Sequence, residues 1–318
     1  MRLFLTRLRE WTLPVAITSG MVIYCLFAFI PALEPTAAVA EPVIDTIFPL
    51  FLFLVLLVTF CRVDFHKMRP VKWHLRVGLV QLALIALPVA TMMWRRVDGD
   101  VLVTMECVLM CVIAPCASAA PVVTARLDGN LEQMTTYVFL SNLVTAALIP
   151  AVFPLIDPQI TIPFLDAFLM ILKRVASILL LPMALAYVIK HYIRPLHRVI
   201  VRYPDLSFYF WACSLVIISG TTLRNIVRSD ATGLLLAVIA VLALVACLGQ
   251  FALGRLIGHS DHLHVETGQA LGQKNTAFAI WIAGVYLNPL STVGPGCYIL
   301  WQNIINAIEL YRHDVKNR

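Results

Sequence analysis

Residues 268–276 read Gly268-Gln269-Ala270-Leu271-Gly272-Gln273-Lys274-Asn275-Thr276, with four polar side chains in a row directly after a glycine. The stretch lies inside an apolar run near residues 263–287, and Ala277 to Leu287 is again mostly apolar. Lys274 sits about ten residues into that run, roughly 15 Å deep at about 1.5 Å per residue. That is near the middle of a ~30 Å hydrocarbon core. An ionisable residue at such depth is read first as part of a functional site. The bland alternative is a lysine that snorkels to an interface, and its depth argues against this. The stretch predicts a membrane helix broken at mid-depth, whose freed backbone groups need polar partners or a wet cavity.

A second interruption occurs earlier, at Ala114-Pro115-Cys116-Ala117-Ser118-Ala119-Ala120-Pro121. Pro115 and Pro121 each remove a backbone donor and clash with the preceding turn. The residues between them are all small, so another backbone can approach closely. A simple proline kink is the competing reading, weakened by the existence of the other break. Ser118 and Asn275 are 157 residues apart, close to half of the 318-residue chain. Half-helix N-termini carry partial positive charge, so two breaks crossing at mid-depth suit an anionic group.

Working outward, apolar runs long enough to span recur along the whole chain. They lie near 11–33, 43–61, 75–94, 101–126, 131–156, 163–190, 206–226, 231–257, 263–287 and 292–312. The chain is 60% hydrophobic and 13% charged, about half the charged share of a soluble domain. No segment could form a separate soluble domain, so residues 1–318 read as one all-α membrane domain of about ten spans. Ten spans divide into two sets of five, about 11–156 and about 161–312. An odd set enters from the other side on repeating, which gives an inverted five-helix repeat.

The net charge of +6 raises nucleic acid as a partner, but its placement points to a lipid bilayer instead. With alternating loops, 17 basic residues fall on one side and four, Arg95, Arg96, Arg224 and Arg228, on the other. The positive-inside bias puts both termini in the cytoplasm of a cell (inner or plasma) membrane. A cleaved signal peptide ending at Ala38-Val39-Ala40 competes for the first run, whose apolar stretch is too long for an ordinary h-region.

Other polar residues inside or beside the runs have narrower readings. Glu106, in the outer half of the fourth span, either binds protons or cations or lines a wet vestibule. Asn142 reads as an interhelical hydrogen-bond partner. Asn130 with Glu132 reads as a helix start. Asp45, Glu132, Glu266 and Glu309 lie near span ends. Lys173 and Arg174 predict that the segment from about 161 lies along the outer interface and bends inward near Arg174. Cys107, Cys111 and Cys116 could form a soft-metal or metalloid site, but packing is the simpler role and no metal is expected. The eight histidines lie in or beside cytoplasmic segments, so no nucleophile or metal set at depth marks an enzyme.

At the two breaks the sequence resembles the bile acid:sodium symporter family. The segments that carry the likeness are APCASAAPVVTARLDGN, GQKNTAFAIWIA and WQNIINAIE. They are similar to the family's crossover in helix 4, its Gly-x-Gln-Asn crossover in helix 9 and its Trp-His-Asn motif in helix 10. The resemblance implies a panel domain of helices 1, 2, 6 and 7, and a core domain of the other six. It implies alternating access and organic-anion substrates, such as bile acids, pantoate-like acids and 2-keto acids.

Ser118 falls where members carry threonine, Asn275 matches the crossover asparagine, and Asn303 matches the helix 10 asparagine. Gln302 replaces the histidine before it. Lys274 and Thr276 complete the expected substrate-binding set. The sodium positions do not carry over. Ala120-Pro121 stands where sodium-coupled members have Ser-Asn, Ala270 where they have an acid, and Lys274 where they have glutamine. Met134 and Val138 fall at the helix 5 hydroxyl positions. Lys274 then either replaces a bound cation, attracts the substrate anion, or titrates. Lys274, Glu106 and Glu266 are the ion-coupling candidates. A rearranged sodium site from Glu266, Ser118 and Thr124 is the counter-reading. The expected function is secondary active or facilitative transport of a small organic anion by a monomer without cofactor, sodium-independent and either proton-linked or facilitated if Lys274 replaces the bound cation. A metalloid exporter is the alternative, through Cys116 at the helix 4 break.

Overall fold

The computed structural model describes residues 11–95, 97–156, 163–229 and 231–316. Arg2, Arg7, Arg9, Arg96 and Arg318, five of the charges used above, lie outside the described residues, as does the start of the expected second repeat near 161. The described chain is all-helical, with no β-strand. In chain order the helices are α1 (Thr12–Phe29), α2 (Glu34–Arg62), α3 (Lys72–Arg95), α4 (Gly99–Ile113), α5 (Ala120–Arg126) and α6 (Leu131–Ile156). Then follow α7 (Phe164–Tyr192), α8 (Arg194–Arg202), α9 (Leu206–Val227), α10 (Gly233–Gly258), α11 (His264–Gly272), α12 (Thr276–Tyr286) and α13 (Val293–Lys316).

Seven of these are long and apolar enough to cross a membrane: α1, α2 from Pro42, α3, α6, α7, α9 and α10. The three other expected spans appear differently. Two are the interrupted segments, which form the short pairs α4/α5 and α11/α12. The third is α13, 24 residues long but with a polar second half. Prolines inside α2, α3, α6 and α7 are tolerated within continuous helices, as is common where neighbours re-satisfy the freed carbonyls.

The chain divides into two compact units. One comprises Met1–Val63, Leu180–Arg228 and Asn303–Arg318, and the other Asp64–Leu179 and Ser229–Gln302. In the first, α9 packs on α1 and α2, and α8 packs on α2. In the second, α10 lies along α11, and α4 packs between α3 and α10. Its apolar core gathers Ile85 and Val89 of α3, Leu109 and Ile113 of α4, Ile149 and Phe153 of α6, Ile171 of α7, and Phe278 and Ile282 of α12.

Two local expectations have clear outcomes. Asn130 caps α6 by accepting from Gln133 N at 2.8 Å, as its position before Glu132 suggested. No bend interrupts α7 at Arg174, because the helix runs unbroken from Phe164 to Tyr192. The Arg174 guanidinium instead stacks on the Trp281 ring, 3.8 Å from its centroid. That cation–π contact meets the charge without the chain leaving the helix.

Candidate functional site

The two interrupted segments meet each other. Cys116 and Lys274 form an isolated antiparallel β-bridge, flanked by two further backbone bonds. Ala117 N donates to Gln273 O at 2.9 Å, and Asn275 N donates to Pro115 O at 2.8 Å. Proline explains why the first segment is extended here. Pro115 cannot continue α4 and holds the residue before it out of the helical region, and Ala114 is accordingly at φ −51°, ψ 137°. Gly272 explains how the second segment fits. A Cβ there would fall 2.4 Å from Phe251 Cγ, so only glycine lets the Phe251 ring pack against the end of α11.

Ending α4 among buried residues strands its last carbonyls, which must find partners inside the protein. Neighbouring helices supply one for each. Gln250 of α10 donates to Cys111 O at 3.2 Å. Gln81 of α3 donates to Val112 O at 3.3 Å and Ala114 O at 3.1 Å. Thr145 of α6 donates to Ile113 O at 3.3 Å. Asn142 donates to Cys116 O at 3.4 Å, the interhelical role expected of it, and Ser141 Oγ accepts from Cys116 N at 3.1 Å. On the other strand, Tyr298 donates to Gly272 O at 2.7 Å and receives a bond from Gln250 at 3.0 Å.

Gln81, Gln250, Thr145 and Tyr298 were missed by sequence reasoning. Their only signal was an amide or hydroxyl inside an otherwise apolar run. Nothing in the spacing says which carbonyl such a group will meet.

Gln302 of α13 grips the Lys274 peptide from both sides. Its Oε1 accepts from Lys274 N at 2.8 Å, and its Nε2 donates to Lys274 O at 3.2 Å. Gln302→Leu leaves Lys274 N buried without a partner, at about 1–3 kcal/mol, while Lys274 O keeps its bond from Thr276 N at 2.9 Å. Thermal unfolding of the purified variant should show a loss of that order. A variant as stable as the parent would mean that the crossing is held without Gln302.

The Lys274 side chain is only 1% exposed, and its Nζ has no hydrogen-bond partner among the described residues. It lies within electrostatic range of the Cys111 and Cys116 sulfurs. Gln273 beside it is buried with its Oε1 unpartnered in the same way. Asn275 caps α12, its Oδ1 accepting from Phe278 N at 3.2 Å, and the Thr276 side chain is buried in the first turn. Ser118 is half-buried in the turn that leads into α5, two residues past the bridge. Lys274, Asn275, Thr276, Gln302 and the segment bearing Ser118 therefore share one crossing. Asn303 is buried next to Gln302 in α13 and belongs to the first unit.

The two acidic candidates lie elsewhere. Glu106 Oε2 accepts from Asn288 N at 3.3 Å and from the Ser291 hydroxyl, which fastens the turn between α12 and α13. Glu266 Oε1 accepts from Asn130 N at 2.8 Å, at the start of α6. Ala120, Pro121, Met134, Val138 and Ala270 are all buried apolar side chains. A hard cation takes oxygen ligands, and none of these side chains provides one, so the residues present do not fit a sodium ion at those positions. Among the described residues no three His, Cys, Asp or Glu side chains group as a metal site.

Seven helices long and apolar enough to cross a membrane, around a crossing of two interrupted segments, are those of a multi-pass membrane protein. The Sodium Bile acid symporter family profile matches residues 49–229, more than half of the chain, and the protein belongs to that family of membrane transporters. No curated protein matches it.

Proposed function

We propose that this protein carries a small organic anion across the cell (inner or plasma) membrane by alternating access, without sodium coupling. The observation that carries this reading is Lys274. A buried ammonium with no acceptor is costly and normally finds a counter-charge. Here it stands at the crossing of two broken helices, beside the N-terminus of α12, which adds its own partial positive charge. An organic carboxylate supplies what both lack. The family membership supports bile-acid-like or related solutes as the class. Ser118, Asn275, Thr276, Gln302 and Asn303 complete the proposed substrate set.

The first unit takes the role of the panel and the second that of the core, with the inverted repeat relating the halves of the chain. Both termini are cytoplasmic, and the monomer is the working unit. The Lys274 ammonium serves as the counter-charge of the substrate anion.

Purified protein in proteoliposomes should accumulate the anion at the same rate in sodium and in potassium. Uptake that rises steeply with an imposed sodium gradient overturns the proposal. The metalloid alternative rests on Cys116, whose sulfur lies beside Lys274 at the same crossing. It predicts that Cys116→Ser abolishes metalloid tolerance in cells, while the organic-anion reading predicts no change.

A further inference from the structure

The connection between α7 and α9 is a helix of its own, and nothing in anion transport requires it. Ile193 leaves the helical region at φ −114°, ψ 58°, and Pro195 starts α8 at its first turn. The sequence Arg194-Pro195-Leu196-His197-Arg198-Val199-Ile200-Val201-Arg202 divides its faces sharply. Arg194, Arg198 and Arg202 repeat every four residues and form one stripe, since such positions stack on a helix. All three are exposed. On the opposite side, Leu196, Val199 and Tyr203 are exposed as well, at 43%, 56% and 57%.

A third face is occupied by protein. Ile200 is buried against it, and His197 Nε2 donates to Cys61 O at 2.9 Å. Lys190 Nζ donates to Val63 O at 3.0 Å and Arg62 Nη1 to Pro204 O at 2.6 Å, so the whole connection is bound to the end of α2.

The apolar stripe is therefore uncovered on a segment whose position is fixed. It lies between the ends of two helices that are themselves long and apolar enough to cross a membrane, so it sits at a membrane–water boundary. Tyr192, 78% exposed, and Tyr203 stand just before and just after it, as aromatic residues do at interfaces. From Lys190 to Pro204 the chain contains no acidic residue.

We infer that α8 is a binding surface for anionic phospholipid. Leu196, Val199 and Tyr203 enter the acyl boundary, and the headgroup phosphates pair with Arg194, Arg198 and Arg202. Amphipathic helices with a basic polar face bind bilayers in this way. Each basic residue near an anionic surface contributes about 1 kcal/mol, or roughly fivefold, so three give on the order of a hundredfold. The inference does not depend on which solute is carried.

The test is amide hydrogen exchange on the full-length protein in nanodiscs. One set holds phosphatidylcholine alone, and the other includes phosphatidylglycerol. Amides of residues 196–203 should exchange at least about tenfold more slowly with the anionic lipid. The variant R194Q/R198Q/R202Q should lose that difference while α1 and α9 keep their protection, which shows that the fold is intact. Equal exchange in both discs, or a lipid effect that survives in the variant, overturns the inference. So does protection in detergent that grows with protein concentration, since a second copy would then cover the face. The same protection from inorganic phosphate in detergent would place the site in solution rather than on the bilayer, and also overturns it.

Discussion

Lys274→Met will raise the thermal stability of the substrate-free protein and abolish its transport. The two effects have one cause. Lys274 is among the largest fully buried side chains, and its ammonium has no acceptor among the described residues. Removing a charge from water without a counter-charge is costly, and replacing it by an apolar side chain of similar volume relieves that cost. Methionine is unbranched and flexible enough to fill the same space. The backbone clamp from Gln302 engages only the peptide of residue 274 and survives the change. The expected gain is about 1–3 kcal/mol. It should appear as a higher unfolding temperature without substrate, together with loss of the further rise that substrate gives the parent. Lys274→Arg keeps the charge and should retain some substrate response, though the longer planar head must fit a closed site. A Lys274→Met protein that is less stable than the parent would sink this account. The ammonium would then be a tethered cation that holds the crossing together, as a bound ion would.

The sequence made the place of the two breaks legible because their causes are local. Pro115 and Pro121 act on their own backbone, and Lys274 announces itself by charge in an apolar run. Seven of the span positions were legible for the same reason, since length and hydropathy are properties of a window. What the sequence could not reveal was the satisfaction of the broken ends. Gln81, Gln250 and Thr145 are far from residues 111–114 in the chain and reach them only after α3, α6 and α10 have packed. Glu106 shows the same limit from the other side. Its depth suggested either ion binding or a wet vestibule, and the turn it fastens through Asn288 and Ser291 was not legible. Arg174 misled more directly. The expected bend assumed that its charge had to reach the interface, and the ring of Trp281, more than a hundred residues away, was not predictable as its partner.

Gly254→Ala will destabilise the protein by about 1–3 kcal/mol, whereas Gly249→Ala, five residues earlier in the same helix, will be neutral or slightly stabilising. The difference lies in what each added methyl meets. At Gly249 nothing stands within 4 Å of where a Cβ would lie, so alanine gains its helix preference over glycine without a clash. At Gly254 the Cβ would fall 2.4 Å from Thr267 O and 2.9 Å from Gly268 Cα. Both are backbone atoms of α11, so no side chain can swing aside. Gly258, one turn later, would bring its own Cβ to 2.2 Å from the Thr267 hydroxyl. Gly254-Arg255-Leu256-Ile257-Gly258 thus forms a small-xxx-small surface on which α11 lies directly. Because α11 runs straight into Gly272, Gln273 and Lys274, a wedge at Gly254 displaces the crossing as well as the helix pair. Uptake should therefore fall in Gly254→Ala by more than the folded fraction alone accounts for, and stay at the parent level in Gly249→Ala. Equal unfolding temperatures for the two variants would show that α11 is free to move away from α10. The crossing would then not depend on that contact.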